Sequence, residues 1–262
     1  MTSAGVAAAI GLAGCGDAVD GGDDTPFGDA DWRDADGLDV ETLATRHVET
    51  AVEAGGVTLF STAETTHEAE TEPSPWLPSQ VYESRYDLEN ERQYLRQEMT
   101  GTDEVDRYEM YREADTALIR EQIGTEVGYG RRSTDGESVE SVTRADAVIG
   151  IRVPQGTGAE TYEGLNNWRP TPDGADEVDG ERTARFVSES FEGERPVPET
   201  IATASAAVDV FESGFVPRIE QSWEGPHDGT TATVDVGIEY RDRGVTVAEP
   251  EWVEEARAEA GE

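Results

Sequence analysis

The scarce reactive side chains of this chain limit its chemistry. Cys15 is the sole thiol, which excludes an internal disulfide. It closes the run Leu12-Ala13-Gly14-Cys15 at the end of a small, apolar stretch from Ala4 to Ala13, and Gly16, Asp17 and an acidic tract follow at once. The three histidines, His47, His67 and His227, stand in unrelated contexts, and neither an H-E-x-x-H nor a G-x-S-x-G pattern is present. His67-Glu68 with Glu70 and Glu72 supplies donors for a divalent ion, although an acidic strand end in water explains them more simply. Among 58 acidic residues, carboxylates at glycosidase spacing arise by chance. No Gly-rich phosphate loop opens a helix. The reading is a non-enzyme with no cofactor, no metal and no catalytic residue.

The Leu12-Ala13-Gly14-Cys15 pattern resembles the lipobox of bacterial and archaeal lipoprotein signals, although no basic residue precedes the apolar stretch. The resemblance implies that residues 1–14 are an export signal and that the Cys15 thiol takes a lipid through a thioether. Two hydrocarbon chains, at about 0.8 kcal/mol per buried methylene, make a stable anchor. The expected setting is the extracytoplasmic face of the cell membrane. No apolar run approaches the roughly 18 residues of a spanning helix.

Asp and Glu number 58 and the 20 basic residues are all Arg, for a formal net charge of -38 over 262 residues. Such a field repels polyanions and argues against nucleic acid as a partner. In dilute buffer the surface repels itself, whereas in molar salt the screening length falls to about 3 Å. The balance fits a halophile. GC-rich codon usage also replaces Lys with Arg, but it does not account for nearly three acids per base.

Residues 15–37 join the lipidated Cys to an Asp- and Gly-rich stretch that reads as a self-repelling, solvated tether. An EF-hand loop fails there: counting back from Gly37 puts Trp32 at the first ligand position, and no Glu falls at the twelfth. Residues 38–262 are expected to form one domain.

That domain opens with a helix. Asp39 is its N-cap, Val40, Leu43, His47, Val48, Ala51 and Val52 share one face, and Gly55-Gly56 stops it. His47 in this stripe reads as a core histidine rather than a ligand. The period then shortens towards two. Strands are expected at 57–68, 80–88, 92–100, 105–112, 116–123 and 126–131, helices at 138–149 and 158–166, and further strands at 176–178, 183–191, 204–211, 215–224, 230–240 and 245–248. A terminal helix is expected at 251–259. Short consecutive strands imply an antiparallel sheet.

The order of helix, meander, helical insert and second meander, with Gly180-Glu-Arg-Thr-Ala-Arg-Phe186, Ala207-Val-Asp209-Val, Gly214-Phe-Val216, Trp223-Glu-Gly225 and Val247-Ala-Glu-Pro250-Glu-Trp252-Val, resembles a haloarchaeal lipoprotein family of uncharacterised function. That family is similar to the LolA-like and mycobacterial lipid-binding lipoprotein fold. The resemblance implies an α+β domain: a strongly curved antiparallel sheet, a half-barrel packed on a few helices. It also implies an apolar concavity that could carry a lipid or other hydrophobic small molecule. Leu59, Leu95, Met110, Leu118 and Trp168 are the candidate lining, and a core simply filled by these side chains is the equal alternative. A cell-surface interaction or regulatory module with no pocket is the competing function. An importer's solute receptor would need a larger, parallel-stranded body.

Overall fold

A computed structural model of the chain describes residues 25–34, 37–67, 79–100, 106–134, 136–151, 164–193, 198 and 200–259. Asp39 caps α1 (Val40–Glu53), its carboxylate accepting from the Thr42 N–H at 3.0 Å and from the Thr42 hydroxyl at 2.7 Å. Leu43, Ala44, His47, Val48 and Ala51 form the buried stripe. The chain then turns through Gly55 and Gly56. Gly56 has φ 140°, and a Cβ there would lie 1.9 Å from the Tyr86 carbonyl oxygen, so only glycine fits.

One meander follows: β3 (Gly56–His67), β4 (Ser79–Asp87), β5 (Arg92–Thr100), β6 (Arg107–Glu113), β7 (Thr116–Ile123) and β8 (Glu126–Ser133). α2 (Val139–Ile151) and a 3-10 turn at Leu165–Asn167 lead to a second: β9 (Thr171–Val178), β10 (Glu181–Ser188), β11 (Thr203–Val210), β12 (Arg218–His227) and β13 (Thr230–Arg241). The β9–β10 and β12–β13 turns are Asp179-Gly180 and Asp228-Gly229. All four residues have positive φ, as a two-residue hairpin turn requires. The meanders join through β3 and β13, giving one eleven-stranded sheet in the order β8-β7-β6-β5-β4-β3-β13-β12-β11-β10-β9. All its pairings are antiparallel, and the sheet is curved without closing into a barrel. With the helices of the described residues it makes the expected α+β fold.

The main core lies on one side of the sheet. There α1, α2 and the Leu165–Trp168 segment cover Phe186, Val208, Ile219, Trp223, Val234 and Tyr240. The other side carries a smaller cluster, in which Val253 and Ala256 of α3 (Val253–Glu259), with Val247, cover Tyr111 and Leu118.

Several expectations need correction. The stretch read as tether through Gly37 is not all solvated. Trp32 is 1% exposed within the main core, and its indole N–H donates to the Glu212 carbonyl at 3.2 Å. A short hairpin, β1 (Arg33–Asp34) with β2 (Gly37–Leu38), holds it in place. Thr25 reaches the sheet edge, where its hydroxyl accepts from the Gly174 N–H at 3.0 Å. The strand expected at 245–248 is irregular: Val247 is buried and donates its N–H to Asp87 at 3.0 Å instead of joining a ladder. The strand expected from Phe215 starts at Arg218, because Phe211 and Phe215 close a tight turn through Gly214 and Pro217 follows. Of the helix expected at 158–166, only the 3-10 turn lies within the described residues.

Candidate functional site

Cross-strand register assigns each candidate to a side of the sheet, since residues directly opposite one another share a face. Tyr240, Leu59, Ser84, Leu95, Met110 and Ile119 form one continuous row across β13, β3, β4, β5, β6 and β7. Tyr240 in this row packs on His47 of α1 and donates its hydroxyl to the Ala147 carbonyl of α2 at 3.2 Å, so the row lies on the helix-covered side. Leu59, Leu95 and Met110 therefore share that side, with Ser84 between Leu59 and Leu95. Leu118 does not: it lies opposite Tyr111 in the neighbouring row and packs under α3 on the other side. Trp168 belongs to the far half of the main core, its ring 4.9 Å from Phe191 and 5.5 Å from Trp223.

Around Leu95 and Met110 the helix-facing side is mixed. Met99, Tyr108, Ile119 and Tyr82 are half-buried beside them. Gln97 donates to Gln80 at 3.1 Å and Gln93 to Ser84 at 3.2 Å, which ties these side chains to one another across neighbouring strands. α2 packs on β4, and Arg112 of β6 donates to the Glu137 carbonyl just ahead of that helix. The strip can meet a long apolar body and offers amide and phenol groups along its length.

A separate cleft of about 550 Å³ opens where β2, the start of α1 and the segment leading into β9 meet. Asp34, Leu38, Val40, Glu41, Trp168 and Arg169 are among its walls. A second, more polar cleft of about 580 Å³ lies between the β9–β10 turn and the β12–β13 strands. Leu59, Leu95, Met110 and Leu118 line neither cleft, whereas Trp168 lines the first.

The buried ionisable groups are structural. His47 is fully buried, and burial depresses its imidazole to about 3. Its Nδ1 accepts from the Val216 N–H at 3.0 Å, which puts the ring proton on Nε2. The ring stacks on Phe215, 4.8 Å between centroids. Asp146 of α2 accepts from the Tyr86 hydroxyl, and burial raises both the carboxyl and the phenol above their ordinary values. On the opposite side of the sheet, Glu109 takes bonds from Tyr94 at 2.7 Å, Arg107 at 3.0 Å and Arg120 at 2.5 Å. Burial pushes its carboxyl up, but those bonds and charges outweigh it and hold it below the usual range. Asp209, 1% exposed, accepts bonds from Arg218 at 2.7 Å and Arg185 at 3.1 Å. Among the described residues, no cluster of three His, Cys, Asp or Glu is arranged to hold a metal ion. No described helix is long and apolar enough to cross a membrane. Leu12, Ala13, Gly14 and Cys15 lie outside the described residues.

No protein-family model matches the chain, and no curated protein does. Among solved structures it is similar to a LolA superfamily protein of Nitrosomonas europaea, 10% identical over 78% of this chain and 94% of that one, with a TM-score of 0.23. It is also similar to a domain ascribed to outer membrane lipoprotein sorting from Vibrio parahaemolyticus, 8% identical over 81% and 97%, with a TM-score of 0.24. A third is the MucA/MucB complex of Pseudomonas aeruginosa, 10% identical over 79% and 95%, with a TM-score of 0.16. At TM-scores this low the likeness carries no ligand or partner across.

Proposed function

We propose that this chain is a lipid-anchored, extracytoplasmic lipoprotein of a halophile that holds an apolar or amphipathic molecule against the helix-facing side of β5, β6 and β7. One observation carries the ligand: Leu95, Met99, Tyr108 and Ile119 stay half in water around buried Met110, on the same side where the rest of the sheet is covered by helices. Burying such a strip is favourable at about 25 cal/mol per Å² and needs no directional partner. The half-buried Gln80 and Gln97 suit a molecule with polar atoms as well as a chain. The anchor rests on the Leu12-Ala13-Gly14-Cys15 pattern, and the halophile on the acid excess, for which clamps such as Asp209 between two arginines give a folded counterpart.

The test is binding of cis-parinaric acid to the full chain in 2–3 M KCl. Saturable binding, weakened about tenfold or more in a Leu95→Gln/Ile119→Gln variant, supports the strip as a site; no binding by the wild type overturns it. For the anchor, protein expressed in a haloarchaeal host is partitioned with Triton X-114. The wild type is expected in the detergent phase and Cys15→Ser in the aqueous phase, and equal partitioning refutes lipidation.

A second reading, a docking module, has its own observation. Ile123 is 52% and Val127 42% exposed at the β7–β8 hairpin, on the open edge of the sheet. Crosslinking from this hairpin to a neighbour in native membranes, together with a ligand-free strip, would favour it.

A further inference from the structure

β8 ends the sheet, bonded to β7 alone among the described strands. Its sequence, Glu126-Val-Gly-Tyr-Gly-Arg-Arg-Ser133, is complementary to itself. Laid antiparallel to its own copy about Tyr129, it sets Glu126 opposite Arg132, Val127 opposite Arg131 and Gly128 opposite Gly130. We infer that β8 pairs in this register with β8 of a second copy, making a two-fold symmetric dimer through one continuous sheet. The neighbour that the docking reading leaves open is then another copy of the chain. The association rests on neither the ligand nor the anchor proposed above, and it stands or falls separately from them.

The backbone permits this register. Thr134, just beyond β8, donates its N–H to the Asp115 carbonyl at 3.0 Å, in line with the β7–β8 ladder that sets Ile119 opposite Gly130. Even-numbered residues of β8 therefore direct their N–H and C=O groups at β7, and alternation turns those of Val127, Tyr129 and Arg131 outwards. Val127 then meets Arg131 of the second copy, and Tyr129 meets its own image. Every pair that must exchange hydrogen bonds has its groups pointing across the junction. A shift of one residue would set outward groups against ones already used.

Side chains agree with the backbone on both faces. Glu126, Gly128, Gly130 and Arg132 share the helix-facing side with Ile119. Glu126 and Arg132 are exposed. Glu126 pairs with no cation among the described residues, and Arg132 donates to the Met110 sulfur, a weak acceptor, at 3.3 Å. The two-fold makes the Glu126–Arg132 pair twice, a local balance of charge in a chain with 58 acids and 20 bases. Gly128 and Gly130 have no positive φ. A Cβ on Gly128 would meet nothing within 4 Å, and one on Gly130 would make ordinary contact with the Ile119 Cβ at 3.8 Å. One copy alone does not call for glycine at either place, whereas a strand closing in beside them makes use of it. On the other face Tyr129 is held in place by Trp252, 6.5 Å between ring centroids, and by Glu255, which accepts from its hydroxyl at 2.5 Å.

The opposite edge is closed to the same use. In β9, Pro172 removes a donor, Asp173, Asp176 and Glu177 carry like charge, and Thr25 takes the Gly174 N–H at 3.0 Å. β8 therefore selects β8 rather than β9, and the assembly closes at two copies instead of growing. Residues opposite one another share a face, so the strips on β5 to β7 of the two copies adjoin across Gly128 and Gly130.

The experiment is sedimentation equilibrium in 2–3 M KCl of the full chain carrying Cys15→Ser, which removes the one thiol that could link copies. A junction made by a single strand of 8 residues is small, so a monomer–dimer equilibrium in the micromolar to submillimolar range is expected. Glu126→Arg sets Arg against Arg132, and Arg132→Glu sets Glu against Glu126; each is expected to weaken the dimer about tenfold or more. The two variants mixed are expected to form a heterodimer, since every facing pair is then of opposite charge, and Glu126→Arg/Arg132→Glu together are expected to restore the wild-type constant. Chains that refuse themselves and accept each other are necessarily folded. Val127→Pro deletes an outward N–H without touching the β7 ladder and is expected to weaken the dimer about tenfold, with unchanged near-UV circular dichroism. A wild type that stays monomeric throughout that range overturns the inference and leaves the edge to an extended segment of another protein. Single charge variants that dimerise like the wild type, or a mixture of the two that stays monomeric, overturn it as well.

Discussion

His47 makes stability depend on pH in a direction that the acidity of the chain does not itself dictate. In the folded protein the imidazole is neutral, depressed to about 3 by complete burial, whereas in the unfolded chain it titrates near its ordinary 6.5. Above that unfolded value its contribution is fully present. As pH falls the unfolded chain takes up a proton that the folded chain refuses, and stability is lost progressively down to the folded value. At pH 5 the loss is about 2 kcal/mol, at a pH where most carboxylates are still ionised. His47→Gln keeps an acceptor for the Val216 N–H and removes the titration. The assay is urea unfolding in 2–3 M KCl, followed by tryptophan fluorescence at pH 7 and pH 5, for wild type and variant. The wild type should lose about 2 kcal/mol more than the variant between the two pH values. Asp146 acts in the opposite sense: its raised carboxyl adds stability as pH falls through its folded value, and because both proteins carry it, it cancels in the difference. Equal losses in the two proteins would refute the reasoning, as would an NMR titration of His47 near 6.5 in the folded chain.

Trp32→Ala should cost about 3–5 kcal/mol in the same urea assay, as for a large core aromatic, whereas a residue of a solvated tether would cost nothing measurable. Asp209→Ala strips Arg185 and Arg218 of their shared carboxylate. It should cost about 3 kcal/mol, the low end for breaking a buried pair, because both guanidinium groups keep contact with water. Dialysis from multimolar KCl into dilute buffer should erase the near-UV circular dichroism of the wild type, since screening no longer offsets the self-repulsion of the surface. An unchanged spectrum would remove the case for a brine-adapted fold.

The legible parts of the fold are those whose cause is local. The α1 stripe with its Asp39 cap and Gly55-Gly56 stop is written in consecutive residues, and so are the Asp-Gly hairpins, whose positive φ values only a few residue types accept. Trp32 was hidden by its neighbours. Composition averaged over an Asp-rich stretch describes its solvation, but one indole buries enough area to pull its segment onto the domain. Phe27 and Trp32, aromatic residues in an otherwise polar run, were the available signal. Leu118 falls on the other side of the sheet from Leu95 and Met110 for a geometric reason. Glu113 pairs with Thr116 around a two-residue turn, Ala114-Asp115. That register sets Met110 opposite Ile119 and Leu118 opposite Tyr111, whereas a three-residue turn gives no such pairing. In a strand, one residue of slippage exchanges inside for outside. The cleft beside Trp168 was not legible because its walls come from three segments far apart in sequence.

The seam between β3 and β13 has a consequence for how the molecule is made. The first strand of the large sheet has no inner neighbour until the last one arrives, more than 160 residues later along the chain. While the polypeptide is being synthesised, β3 and β12 each present a bare row of backbone donors and acceptors at what will become the middle of the sheet. Long-range pairing of this kind is slow to form. A chain cut short before Thr230 would keep both meanders and lose the strand that joins them, leaving two sticky half-sheets rather than a smaller protein.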